Sequence, residues 1–101
     1  MTLLELLSEQ THNFYRGMIR VTFDESLSTM DVAEMIRGIE TVTIVTNAGT
    51  AEGRELAMYT VKVRTTMGPN DAFKFVRRQA LAMNGIRKFE IGTKTIEKIA
   101  G

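Results

Sequence analysis

Cysteine is absent from the 101 residues, which removes a disulfide framework, a thiolate metal site and a cysteine nucleophile at once. Folding must rest on packing alone, which suits a reducing compartment. Histidine is nearly absent as well. His12 is the only one, and a metal site needs several ligands at suitable spacing; it reads as a surface or helix-packing residue. Apolar runs are only a few residues long, too short to span a bilayer. The opening Met1-Thr2-Leu3-Leu4-Glu5-Leu6-Leu7 lacks the basic start and the small-residue cleavage site of a secretory signal. Charge of one sign is not in excess overall, since the formal net charge is +1. Residues 1–50 nevertheless carry 3 basic and 7 acidic side chains, and residues 51–101 carry 10 basic and 5 acidic. A local basic patch is therefore left open, without a general pull toward nucleic acid or membrane.

What is present is ordinary globular material. The hydrophobic content is 44% and the charged content 25%, which suits one domain with a real core. Residues 2–15 read as an amphipathic helix. Thr2 and Glu5 fit a capping box, and Leu3, Leu6, Leu7 and Phe14 form an apolar stripe that Arg16-Gly17 breaks. Residues 18–23 alternate as a first strand, with Ile19, Val21 and Phe23 on one face. After a polar turn, Ser28 or Thr29 caps a helix buried along Val32, Met35, Ile36 and Ile39. Residues 42–46 are a second strand, with Val42 and Ile44 on one face and Val45 on the other. A loose hairpin over residues 47–53 leads to a third strand at 55–66. There Ala57, Tyr59, Val61 and Val63 face inward, while Leu56, Met58, Thr60, Lys62 and Arg64 face outward.

The only proline, in Gly68-Pro69-Asn70-Asp71, starts a helix with Phe73, Val76, Ala80 and Met83 inward, and Asn84-Gly85 supplies its left-handed cap. Residues 86–91 are a fourth strand that Gly92 interrupts, with residues 95–99 as an extra strand or a continuation. This order predicts an α+β fold. Its expected form is a ferredoxin-like βαββαβ sandwich over residues 17–101, preceded by an extra N-terminal helix over residues 1–16.

No motif reaches a catalytic, metal or cofactor signature, so the expectation is a non-enzymatic protein without a cofactor. Asp24 and Glu25 are paired carboxylates in a turn, with no partner base or nucleophile in the pattern. Gly49 and Gly53 have the wrong spacing for a phosphate loop, and no helix follows them. The outward sheet face carries more information. If the fourth, first and third strands lie side by side, Arg20, Lys62, Arg64 and Lys88 share it and are candidate anion contacts for a phosphate backbone. No aromatic stacking platform accompanies them in this register. Met18, Val45 and Met58 point outward too, and with Leu3, Leu6 and Leu7 they are the candidate interface for a protein partner or a second copy.

Two resemblances add expectations. From Met18 to Ile91 the pattern resembles ACT-type regulatory domains, through the helix–turn–strand steps Gly38-Ile39-Glu40-Thr41-Val42 and Asn84-Gly85-Ile86. That resemblance implies amino acids or other small ligands bound at paired interfaces. The family's ligand loop falls after the first strand, where Asp24-Glu25-Ser26-Leu27-Ser28 has no glycine. The leader Leu3-Leu4-Glu5-Leu6-Leu7-Ser8-Glu9-Gln10 and the ending Lys94-Thr95-Ile96-Glu97-Lys98-Ile99 are similar to small tailed-bacteriophage proteins. This second resemblance implies a virion component or assembly accessory, placed in a host cytoplasm or a virion. The leading expectation is an interaction or assembly protein, as a homo-oligomer. A small-molecule module and a nucleic-acid backbone binder are the alternatives, and no membrane partner is expected.

Overall fold

A computed structural model describes residues 12–50 and 55–100. Four strands and two helices follow one another as β1 (Asn13–Phe23), α1 (Thr29–Arg37), β2 (Val42–Thr50), β3 (Leu56–Thr65), α2 (Pro69–Leu81) and β4 (Ile86–Ala100). The result is a small α+β domain with one antiparallel sheet in the order β2-β3-β1-β4. Both helices lie against the same face. Val32 and Ile36 of α1 join Ala72, Phe73, Val76 and Ala80 of α2 in one core with Ile19, Val21, Phe23, Tyr59, Val61, Val63 and Phe89. The inward set of β3 is the expected one, because strict alternation over Ala57, Tyr59, Val61 and Val63 leaves each fully buried. Tyr59 closes its own polar demand by donating its hydroxyl to the Thr29 carbonyl at 2.7 Å. Burial pushes that phenol up to about 12.

The helix starts are as local chemistry dictates. Ser28 accepts from the Asp31 amide at 3.0 Å, and the Asp31 carboxylate accepts from the Ser28 amide at 2.9 Å, which is a full capping box. Gly68 caps α2 and Pro69 fills its first turn, where no amide is needed. The far end of α2 differs from expectation. Ala82 caps it in right-handed geometry, and Gly85 takes its positive φ of 94° three residues later, in the turn into β4.

Three sequence expectations are corrected. Residues 13–15 are strand, not the end of a helix; the rest of the expected helix, with Leu3, Leu6 and Leu7, lies outside the described residues. Burial alternates from Phe14 onward, with Tyr15 inward and Phe14 and Arg16 outward. Gly17 does not break this strand but continues it. A Cβ there would lie 2.9 Å from the Phe73 ring and 3.0 Å from Ile96, so the glycine lets α2 press its aromatic ring onto the β1 backbone.

In β2, a register shift between Val42 and Ile44 turns both Val42 and Val45 inward, at 8% and 9% exposure, and leaves Ile44 47% exposed. Val45 is thus a core residue and not an interface residue. In β4, the strand runs through Gly92 to Ala100, so residues 95–99 are a continuation and not a separate strand. Between the Met18–Gly92 and Arg16–Glu97 pairs β4 holds more residues than β1. Thr95 spans that irregularity, accepting from the Met18 amide at 2.8 Å and donating to the Gly92 carbonyl at 2.6 Å.

Candidate functional site

The helices cover one face of the sheet, and among the described residues none covers the other. The cross-strand register sets out what that outer face presents. Its rows read Lys88, Thr22 and Leu56; then Glu90, Arg20 and Met58; then Met18, Thr60 and Thr46; then Glu97, Arg16, Lys62 and Ile44; then Phe14 beside Arg64. Met18 and Met58 lie in adjacent rows on neighbouring strands, so the structure brings these two interface candidates together. Met58 is 41% exposed and Met18 is half-buried. They border a shallow depression of about 270 Å³ that continues over Ile91 and Gly92 to Thr95.

The charges on this face are unevenly neutralised. Arg20 donates to Glu90 at 2.5 Å, and Arg16 pairs with Glu97. The Arg20 guanidinium holds the Glu90 carboxyl below its usual range, chiefly by that hydrogen bond. Lys62, Arg64 and Lys88 make no ion pair among the described residues. Lys62 and Arg64 sit together near Phe14. Lys88 stands beside Thr22, eight β1 residues from Phe14, or about 26 Å at the rise of a strand. Glu90 separates it from the pair. Of the anion-contact candidates, only Lys62 and Arg64 therefore form a common patch.

Phe14 and Ile44 are outer-face residues that the sequence reading did not place there. Phe14 fits a helical stripe with the leucines before it, yet Asn13 to Phe23 forms one strand whose burial alternates from Phe14 onward. Ile44 was displaced by a bulge that no residue type announces. The two sheet edges are guarded in different ways. Lys88, Lys94 and Lys98 line β4, while β2 carries no charge but shifts register twice. Edge lysines and bulges both oppose strand addition, so the broad outer face is the better-suited contact surface.

A second concavity lies at the end of the sheet where β1 meets α1. It encloses about 690 Å³ between the turn at Glu25 and Ser26, the start of α1 at Ser28 to Asp31, Thr50 and Glu55. This is the place where the ACT resemblance puts its ligand loop. Among the described residues its charged lining, Glu25, Asp31 and Glu55, is acidic. Asp31 is held below the usual carboxylate range by hydrogen bonds from Ser28. Neighbouring Asp24 is lowered first by the Ser26 amide and then by Arg87, with which it pairs at 3.0 Å. Such a lining repels free carboxylates and phosphates and suits a neutral or cationic ligand.

Among the described residues no group of three or more His, Cys, Asp or Glu side chains could hold a metal ion. No helix there is long and apolar enough to cross a membrane. No family model matches the chain, nor does any curated protein or any solved structure.

Proposed function

We propose that this protein is a non-enzymatic interaction or assembly domain that self-associates through its outer sheet face. We read its frame as the ferredoxin-like βαββαβ sandwich. Two strand–helix–strand units in the order β4-β1-β3-β2, with both helices on one side, support that topology. The observation that carries the functional reading is the apolar group of Phe14, Met18, Ile44, Leu56 and Met58 on adjoining strands, over which no described helix lies; Ile44 and Met58 are exposed and the other three half-buried. Apolar side chains gathered on one face, with ion pairs along the β4 margin, have the composition of a contact surface. Methionines adapt their shape to whatever packs on them.

Native mass by light scattering tests the reading. The wild-type chain is expected to be oligomeric, and Met58→Glu, on an exposed position, is expected to yield a folded monomer. A wild-type protein that stays monomeric at high concentration refutes it.

The cleft at the β1–α1 end favours a second reading, a small-molecule module of ACT-like kind. Its acidic lining points to an amine or another cation in place of a free carboxylate. A thermal-shift screen reads it directly, because a ligand at one hundred times its Kd adds about 2.7 kcal/mol. No shift with any amine, amino acid or nucleotide removes that reading.

A further inference from the structure

We infer that the basic seam where α2 lies against the start of β4 is a docking surface for the phosphate backbone of duplex DNA. This function is separate from self-association. It uses the helix-covered side of the sheet and the β4 margin, and it leaves the outer face to a second copy.

Three observations carry it. The first is where the cations fall. Lys74, Arg77, Arg78 and Leu81 recur at helical spacing, so they share one face of α2, and all four are exposed. That face borders two adjoining hollows, of about 450 and 320 Å³, which have Arg77 and Leu81 in common. The second hollow brings in Arg87 and Lys88 from β4. Arg77 donates from Nε to the Phe89 carbonyl at 3.0 Å, which fixes its guanidinium across the seam. Its two NH2 groups remain for a ligand, and a guanidinium fork suits phosphate oxygens.

The second is the shortage of counter-charge. Lys74, Arg77, Arg78 and Lys88 make no ion pair among the described residues, while Arg87 is held by Asp24. Glu90 is the one acid in the lining, and it pairs with Arg20. Asp71 is the only acid on α2 and sits in the first turn, where it answers the positive end of the helix. The dipole at the far end of α2 accounts for one basic side chain, Arg78 in the last turn. It does not account for four cations gathered from two elements.

The third is what the seam lacks. Phe73 is buried and Phe75 packs against the core, so no ring on this face of α2 offers the stacking that a single strand needs. Leu81, at 37% exposure, is its only exposed large apolar side chain. A protein contact surface has an apolar centre, and a membrane-surface helix has an apolar face. Cations in a row without either match a ligand recognised by charge density. From Lys74 to Leu81 the helix rises about 10 Å. B-DNA presents about six phosphate charges over that length, more than four cations require.

Fluorescence anisotropy of a labelled DNA duplex with the full-length protein, from about 50 to 200 mM salt, tests the inference. Four neutralised phosphates give a log–log slope of about −3.6, an affinity loss of about 150-fold across that range. Lys74→Gln with Arg78→Gln alters two exposed side chains and should halve the slope to about −1.8, a loss of about 12-fold. Lys62→Gln with Arg64→Gln, on the outer face, should leave the wild-type slope unchanged. Circular dichroism checks that each variant is folded. No binding to the duplex, or one slope in all three proteins, overturns the inference. A slope flattened only by the outer-face pair overturns it in favour of the sheet. Binding to poly-glutamate or to anionic phospholipid vesicles without binding to the duplex overturns it in favour of an acidic protein or a membrane. Met58→Glu should keep the wild-type slope per chain, so failure of the self-association reading is seen apart from failure of this one.

Discussion

Exchanging aspartate into Ile44 and Val45 in turn gives opposite answers according to which residue faces the core. Simple alternation from Val42 places Ile44 inward, whereas the register shift places Val45 inward at 9% exposure and leaves Ile44 47% exposed. Full burial of an isoleucine is worth roughly 1.5–3 kcal/mol. About half of that is at stake in Ile44, so Ile44→Asp should cost about 1 kcal/mol. Val45→Asp forces a carboxylate among Val42, Val61 and their neighbours with no cationic partner. An unpaired buried charge costs several kcal/mol, a large share of the roughly 5–15 kcal/mol that holds a domain together. Urea titration followed by circular dichroism reads both. Ile44→Asp should lower the midpoint slightly with an unchanged slope, and Val45→Asp should be unfolded or nearly so in buffer. The reverse ranking would refute the bulge and return Val45 to the outer face. The folded Ile44→Asp protein has a second use. It removes an apolar residue from the outer face without touching the core, so its native mass reports on self-association.

Gly17→Val should destabilise by about 1–3 kcal/mol through overpacking against Phe73. Phe73→Leu in the same chain should recover part of that loss, and strictly additive urea midpoints would show that the two do not touch. Acid should weaken the fold. Asp24, Asp31 and Glu90 all have lowered pKa values, so the unfolded chain binds more protons than the folded one below the ordinary carboxylate range. Their contribution is present above the unfolded pKa and is lost as pH falls through the folded ones. Midpoints measured from pH 6 down to pH 2 should decline, and an Asp24→Asn, Asp31→Asn, Glu90→Gln chain should decline less; equal slopes would contradict the assignment. Single-stranded oligonucleotide binding, measured in a chain carrying Lys74→Gln and Arg78→Gln, should be weak. Two unpaired cations in one patch give a log–log salt slope of about −1.4, and a slope several times steeper would reveal a longer cationic track.

The parts of the fold legible in the sequence are those where one local rule acts alone. β3 alternates without interruption for ten residues, so every inward and outward side chain on it follows from parity. The start of α1 is a capping box, and the start of α2 is Gly68-Pro69; both signals act within a few residues. The misread parts are those where a distant residue decides. Gly17 looks like the break between a helix and a strand until Phe73, far along the chain, is laid on it. Gly92 looks like an interruption until the Thr95 hydroxyl takes up the Met18 amide and carries the ladder past it. Nothing in Val-Thr-Ile-Val announces a bulge, because the shift is set by how β2 meets β3.

The candidate site inherits this division. Met58, Lys62 and Arg64 were placed on the outer face from β3 alone, and they lie there. The residues that give the face its character come from the two less regular strands. Phe14 brings an aromatic ring beside Arg64, and Ile44 brings apolar surface beside Lys62. Glu90 and Glu97 neutralise Arg20 and Arg16 along the β4 margin, so the four-cation track read from the sequence shrinks to two neighbouring charges with a lone lysine at the far end. The face thereby combines a methionine pair and the apolar side chains of Phe14, Ile44 and Leu56 with neutralised charge along β4, and its unpaired positive charge gathers at Lys62 and Arg64. Pairing across strands changed the chemistry of this surface without changing a single outward assignment on β3, and for that reason register, more than composition, decides what this domain can bind.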